Sequence, residues 1–207
     1  MKFMIIGGFL GSGKTSVTTS LLAFVAFHSS SDSRYKAVVL ENEIGDVGID
    51  DTTLASGSFR VETIFAGCAC CTSSAPLIAS VKEIDDDLNP EWLILEATGL
   101  ALPYKIKDTL KDALGIDGRV CVIVDARRWK RLQASLSGML NDQLNRADVV
   151  IINKIDLVDS DMVELVKESI ASINPVAIII PCNAGKGLSD DICSSILLEN
   201  APYLKEF

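Results

Sequence analysis

Short runs of aliphatic and β-branched residues recur along the chain, separated by stretches with helical spacing. The runs are Phe3–Ile6, Ala37–Leu40, Val61–Phe65, Trp92–Leu95, Val120–Val124, Val149–Ile152 and Ala177–Ile180. Most are apolar at every position instead of alternating, which predicts strands covered on both faces. Helical spacing predicts helices over Lys14–Ala26, Pro76–Asp87, Pro103–Leu114, part of Arg127–Arg146, Asp161–Ile173 and Leu188–Leu198. Ser160 is the expected cap of the fifth, with Asp161 favouring the positive end of its dipole. The stretches Ser29–Ser33 and Asp85–Asp87 read as short polar loops, too brief to be linkers. Strand and helix alternate throughout, so the expected fold is α/β: three layers, with a mostly parallel central sheet of about seven strands and helices on both faces. No repeat or boundary interrupts the pattern, which assigns residues 1–207 to a single domain.

Composition narrows the function. A chain of 207 residues can bury a sizeable core as one unit. Its 28 acidic against 19 basic residues give a net charge of −9, which excludes a protein whose main work is neutralising nucleic-acid phosphates. Arg127-Arg128-Trp129-Lys130-Arg131 is therefore read as a solvated face or a docking surface. The apolar run Phe3–Leu10 imitates a secretory leader, but it carries Gly7 and Gly8 and runs directly into Gly11-Ser12-Gly13-Lys14-Thr15. Later apolar runs fall short of the roughly 18 to 20 residues that a membrane span requires. Six cysteines without a leader point to reduced thiols and a cytoplasmic protein, with neither membrane nor nucleic acid as partner.

The strongest chemical signal is Gly8-Phe9-Leu10-Gly11-Ser12-Gly13-Lys14-Thr15. It fits G-x-x-x-x-G-K-[ST] between a predicted strand and a predicted helix, the context a phosphate-binding loop requires. Gly8, Gly11 and Gly13 let the backbone wrap a phosphate, with Ser12 and Ser16 beside it. Lys14 supplies a point charge to the outer phosphates, and Thr15 supplies a hydroxyl to Mg²⁺. Asn153-Lys154-Ile155-Asp156 ends a late strand. A carboxylate at Asp156 accepts two parallel hydrogen bonds from guanine, and adenine offers no such donor pair, so GTP and GDP are favoured over ATP. Cys182-Asn183-Ala184 is a further candidate for a backbone contact to the base. Leu95-Glu96-Ala97-Thr98-Gly99 places Glu96 on the Mg²⁺ side and Gly99 where it can approach a γ-phosphate. The loop Glu41–Gly48 carries Glu41, Glu43 and Asp46, with Glu43 and Asp46 candidates to orient the attacking water.

Gly67-Cys68-Ala69-Cys70-Cys71 concentrates three of the six thiols. Adjacent Cys70 and Cys71 are badly placed to bridge one another, while thiolates at this density suit a soft or borderline metal. His28, the lone histidine, sits at the end of the first helix and is read as a dipole-favoured cation, not a ligand.

Taken in order, GGFLGSGKTS, ENEIGDVGID, GCACC, EATG and NKID resemble the CobW family of P-loop GTPases, kin to the HypB and UreG metallochaperones. The resemblance runs from Gly7 to about Lys186. It implies the P-loop NTPase fold and GTP hydrolysis coupled to binding or delivery of Zn²⁺, Co²⁺ or Ni²⁺. It also implies a client metalloprotein or cofactor-assembly enzyme. By that resemblance Cys68, Cys70 and Cys71 carry metal-binding thiols, Glu41 and Asp46 match the acidic switch, and Glu96 matches the Mg²⁺-side carboxylate. Many relatives continue into a C-terminal domain, and this sequence ends at Phe207. Some also carry a histidine where Arg128 stands, which leaves Glu41, Asp46 or water to complete a metal site. A metal bridging two cysteine loops would give a homodimer. Two other readings use the same loop: an ATP-dependent small-molecule kinase, and a nucleotide-gated metal or redox sensor.

Overall fold

The computed structural model describes residues 1–29, 33–41, 59–63 and 75–197, the segment 59–63 by its backbone alone. Seven strands form one sheet: β1 (Lys2–Gly7), β2 (Ala37–Glu41), β3 (Phe59–Thr63), β4 (Trp92–Glu96), β5 (Arg119–Asp125), β6 (Val149–Asn153) and β7 (Ile178–Pro181). Their spatial order is β3-β2-β4-β1-β5-β6-β7 and every pairing is parallel. Successive strands can run parallel only if the chain crosses over between them; a helix makes each described crossover, and the connection from β2 to β3 lies outside the described residues.

The helices are α1 (Lys14–His28), α2 (Ala75–Glu83), α3 (Pro103–Leu114), α4 (Trp129–Leu144), α5 (Ser160–Ile173) and α6 (Asp190–Leu197). Alternate strand residues feed two separate cores. Ile5, Leu40 and Leu95 point to the layer holding α2 through α5, while Met4, Ile6 and Ile94 point to the layer of α1 and α6. Both sets are almost wholly buried, which is why these strands read as continuous apolar runs.

Local differences from the sequence reading have plain causes. The predicted strand Val61–Phe65 begins two residues earlier, at Phe59, in register with β2 from Ala37. Asp159, not Ser160, caps α5, its carboxylate accepting from the Met162 amide at 2.8 Å. Asp and Ser are both good caps, and the extended backbone needed at that position falls on Asp159. The triple aspartate lies in a π-type turn over Ile84–Leu88 that ends at left-handed Asn89. At the end of α1, His28 Nδ1–H donates to the Phe24 carbonyl at 3.0 Å, and its Nε2 lies 3.4 Å from Asp190. Among the described residues, no helix is long and apolar enough to cross a membrane.

Candidate functional site

Parallel order brings the C-terminal ends of β2, β4, β1, β5 and β6 side by side, and every described motif residue lies on that rim. At its centre, residues 8–13 link β1 to α1. Gly8, Gly11 and Gly13 have φ of 133°, 73° and 106°, values that L side chains rarely adopt. Space excludes a side chain at Gly13 as well, since a Cβ there would lie 2.2 Å from Asn153 Nδ2.

Three successive carbonyls of this loop are gripped from one side. Arg128 Nη1 donates to Leu10 O (2.7 Å), Lys154 Nζ to Gly11 O (2.5 Å) and Asn153 Nδ2 to Ser12 O (2.8 Å). In a trans peptide the N–H opposes the C=O, so holding the Leu10 and Ser12 carbonyls turns the Gly11 and Gly13 amides the other way. That leaves donors free for an anion beside Lys14, which is itself buried at the start of α1. Ser12 Oγ is buried without a partner among the described residues, as expected of a group whose partner is a ligand. Asp125, buried at the end of β5, steadies the grip: one oxygen pairs with Lys154 Nζ at 2.7 Å and the other accepts from the Arg128 amide at 3.2 Å. Arg128 is thus more than part of a solvated face, and Trp129 beside it is fully buried, not a surface aromatic. In sequence the segment is only a charge run, because nothing in the local pattern reports a contact across 118 residues.

Glu96 ends β4 and is 5% exposed. Thr15 Oγ1 donates to one of its oxygens (3.0 Å) and Thr18 Oγ1 to the other (3.1 Å). Burial pushes the Glu96 carboxyl up, and neighbouring Glu41 adds to the rise. Lys14 and the two hydroxyls oppose it without cancelling it. Glu41 stands directly opposite Glu96 in the β2–β4 register. A hydroxyl and an adjacent carboxylate, all oxygen and short of countercharge, fit Mg²⁺. Thr18 was not anticipated. It follows Thr15 by three residues on a helix, so its shared face was legible once Thr15 was placed.

On the base side, Lys154 takes a left-handed conformation (φ 63°) and leads into a 3₁₀ turn, Ile155–Leu157, on which Asp156 is exposed. Asn153 Oδ1 accepts from the Ala184 amide at 2.9 Å, tying the Cys182–Ala184 segment to the same motif. Ser16 is exposed on the first turn of α1. Gly99 packs against the phosphate loop, where a Cβ would sit 2.7 Å from Leu10 N.

Glu43, Asp46, Cys68, Cys70 and Cys71 lie outside the described residues. Among the described residues, no three His, Cys, Asp or Glu side chains group to hold a metal. The described thiols are core residues: burial raises Cys182 to about 11 and Cys193 to about 12, and Cys121 higher still.

Solved structures share this architecture. The hydrogenase maturation factor HypB from Archaeoglobus fulgidus superposes with a TM-score of 0.67 at 21% identity, over 96% of this chain and 91% of that one. The Zn(II)-bound YjiA GTPase from Escherichia coli also gives 0.67 at 21% identity, over 96% of this chain and 61% of its own. In sequence, the chain is 35% identical to the zinc chaperone YeiR of Escherichia coli over 156 residues, 73% of this chain and 46% of that protein. It is 31% identical to zinc-regulated GTPase metalloprotein activator 1 of Schizosaccharomyces pombe over 208 residues, 94% of this chain and 48% of that one. The chain thus spans about half the length of these curated relatives. The family model described as CobW/HypB/UreG, nucleotide-binding domain, matches residues 2–181, and with the phosphate loop, Glu96 and the Asn153–Asp156 motif on one rim, the chain belongs to the CobW/HypB/UreG family.

Proposed function

We propose that this chain binds and hydrolyses GTP with Mg²⁺ and couples its nucleotide state to the binding or delivery of a transition metal, zinc before cobalt or nickel. The observation that carries the reading is the grip on the phosphate loop. Asn153 and Lys154 of the guanine-side motif hold Ser12 O and Gly11 O directly, so base and phosphate recognition form one rigid unit. Zinc is favoured because relatives from bacteria and yeast carry zinc in their names.

In this reading Asp156 accepts from guanine and rejects adenine. Lys14 and the loop amides offset charge on the phosphoryl oxygens, which is most of what catalysis of this transfer requires. Thr15 and Glu96 would hold Mg²⁺, which when bound supplies further charge neutralisation at the phosphates. Glu43 and Asp46 orient the attacking water. Cys68, Cys70 and Cys71, with Glu41 or Asp46, hold the transition metal as cargo. Glu41, beside Glu96, joins that cargo site to the nucleotide site. The recipient is a metalloprotein or cofactor-assembly enzyme, the compartment is the cytoplasm, and two copies joined through their cysteine loops form the metal-loaded state.

Zinc titrations of the GTP-analogue and GDP forms, run beside GTP and ATP turnover, test the reading. Tighter zinc binding in one nucleotide state, lost in Cys70→Ser, is expected, together with turnover of GTP and not ATP. Equal zinc affinity in both states removes the coupling, and turnover of ATP removes the guanine assignment.

A further inference from the structure

The turn after β4 is held by a side chain from the far end of α4, away from every motif residue of the rim. Gln143, in the last turn of α4, is 1% exposed. Its Nε2 donates to the carbonyls of Gly99 (2.9 Å) and Ala101 (3.0 Å). A primary amide has two N–H donors, so both are committed to this turn. The turn closes on itself through Ala101 N–H to Thr98 O at 3.1 Å. Its other side presses on the phosphate loop, at the close approach of Gly99 to Leu10 N.

The seam between Gly99 and Leu10 is therefore clamped from both ends of one helical segment. Arg128, just before α4, holds the Leu10 carbonyl, and Gln143 at the far end holds the Gly99 carbonyl. Between them α4 is broken at Leu136, where φ is −139° and ψ is 33°. Gln143 Oε1 and Thr98 Oγ1 are both buried without a partner among the described residues. An apolar side chain of equal volume would fill the Gln143 position without burying an unpaired oxygen, so what the amide contributes is its hold on the two carbonyls.

We propose that Gln143 is a positioning residue for GTP hydrolysis. It fixes the Gly99 turn against the phosphate loop where the third phosphate distinguishes GTP from GDP, and it links that difference to the C-terminal half of α4. The inference rests on the GTPase reading above. Gln143→Met keeps the volume and removes both donors. Loss of two bonds to buried carbonyls is expected to lower kcat about tenfold or more and to reduce the preference for a GTP analogue over GDP by a similar factor. GDP affinity should stay within about twofold of wild type, because GDP makes no use of the turn. A folded variant with wild-type kcat and wild-type preference overturns the proposal. An equal loss of affinity for both nucleotides overturns it too, since that marks a scaffold residue. If Gln143→Met does not fold, the side-chain amide resonance of Gln143 in the wild-type chain decides. It should shift between the GDP and GTP-analogue complexes, and an identical resonance in both refutes the link. Failure of the GTPase reading shows separately, as wild-type protein that binds no guanine nucleotide.

Discussion

Thr18→Val isolates the electrostatics around Glu96 from the rest of the site. Valine keeps the shape of threonine and deletes the hydroxyl, which lies 3.1 Å from both Glu96 Oε2 and the Lys14 carbonyl. A hydrogen bond to a charged group is worth about 1.5–3 kcal/mol, so at about pH 8 the variant should lose roughly that much stability. The sign of the pH dependence follows from the direction in which Glu96 is shifted. Because burial raises its carboxyl, the folded chain keeps a proton that the unfolded chain has released, across the interval from the ordinary carboxylate value to the raised one. Its contribution to stability is fully present below that interval and is lost as pH rises through the raised value. Removing a bond to the ionised form pushes the carboxyl higher still, so the cost of the substitution grows with pH. Urea unfolding of the metal-free protein from about pH 8 down to about pH 5 reads this directly, and the difference from wild type should shrink as pH falls. Thr18→Ser retains the donor and should restore most of the loss. A cost that is constant with pH, or larger at the acid end, would refute the assignment of Thr18 to the Glu96 charge.

Four other outcomes follow from the same geometry. Asp156→Asn, at an exposed position, should leave unfolding unchanged while weakening GDP by about 3 kcal/mol, roughly a hundredfold, in a fluorescent-nucleotide titration. Gly13→Ala forces a Cβ to 2.2 Å from Asn153 Nδ2 at φ 106° and should cost at least about 1–3 kcal/mol by denaturant midpoint. Thiol labelling of the native protein near neutral pH, read by peptide mass spectrometry, should miss Cys121, Cys182 and Cys193 until the chain unfolds, since burial holds all three thiols protonated. Mg²⁺ with GDP at about a hundredfold excess over Kd should add about 2.7 kcal/mol of stability in a thermal scan, with ATP adding none.

The sheet was legible because burial on both faces writes itself into sequence as unbroken apolar runs, and all seven runs became strands. The phosphate loop was legible because left-handed backbone at Gly11 and Gly13 demands glycine in a fixed spacing. What escaped are contacts whose partners are distant in sequence and whose residue types are ordinary. Arg128 reads as one member of a basic cluster, yet its guanidinium holds Leu10 O. Gln143 reads as a polar position on an amphipathic helix, yet it is buried on the carbonyls of a turn more than 40 residues earlier. Ser160 and Asp159 are equally good caps on paper, and only the backbone at Asp159 chooses between them.

The polar balance of the molecule says where its ligand belongs. Away from the rim, Asn174 Nδ2 donates to the carbonyls of Leu144 and Ala147, both at 2.9 Å, and closes the junction between α4 and β6, while Arg119 at the start of β5 keeps Nε and Nη1 buried without partners among the described residues. Toward the C-terminal ends of the strands the balance fails. Ser12 Oγ, Thr98 Oγ1, Trp129 Nε1 and Gln143 Oε1 are buried there without partners among the described residues, and Glu96 is a buried carboxylate whose neighbours do not cancel its desolvation. Each such group costs free energy that the rest of the fold must offset. An anion with many oxygens, accompanied by a hard divalent cation, relieves both deficits at once. The anion would accept from the turned-in amides and the Ser12 hydroxyl, and the cation would bring positive charge to Glu96. In the proposed reading nucleotide and Mg²⁺ would therefore complete the rim as well as occupy it, which makes the nucleotide state a natural lever on the loops that leave the same strand ends.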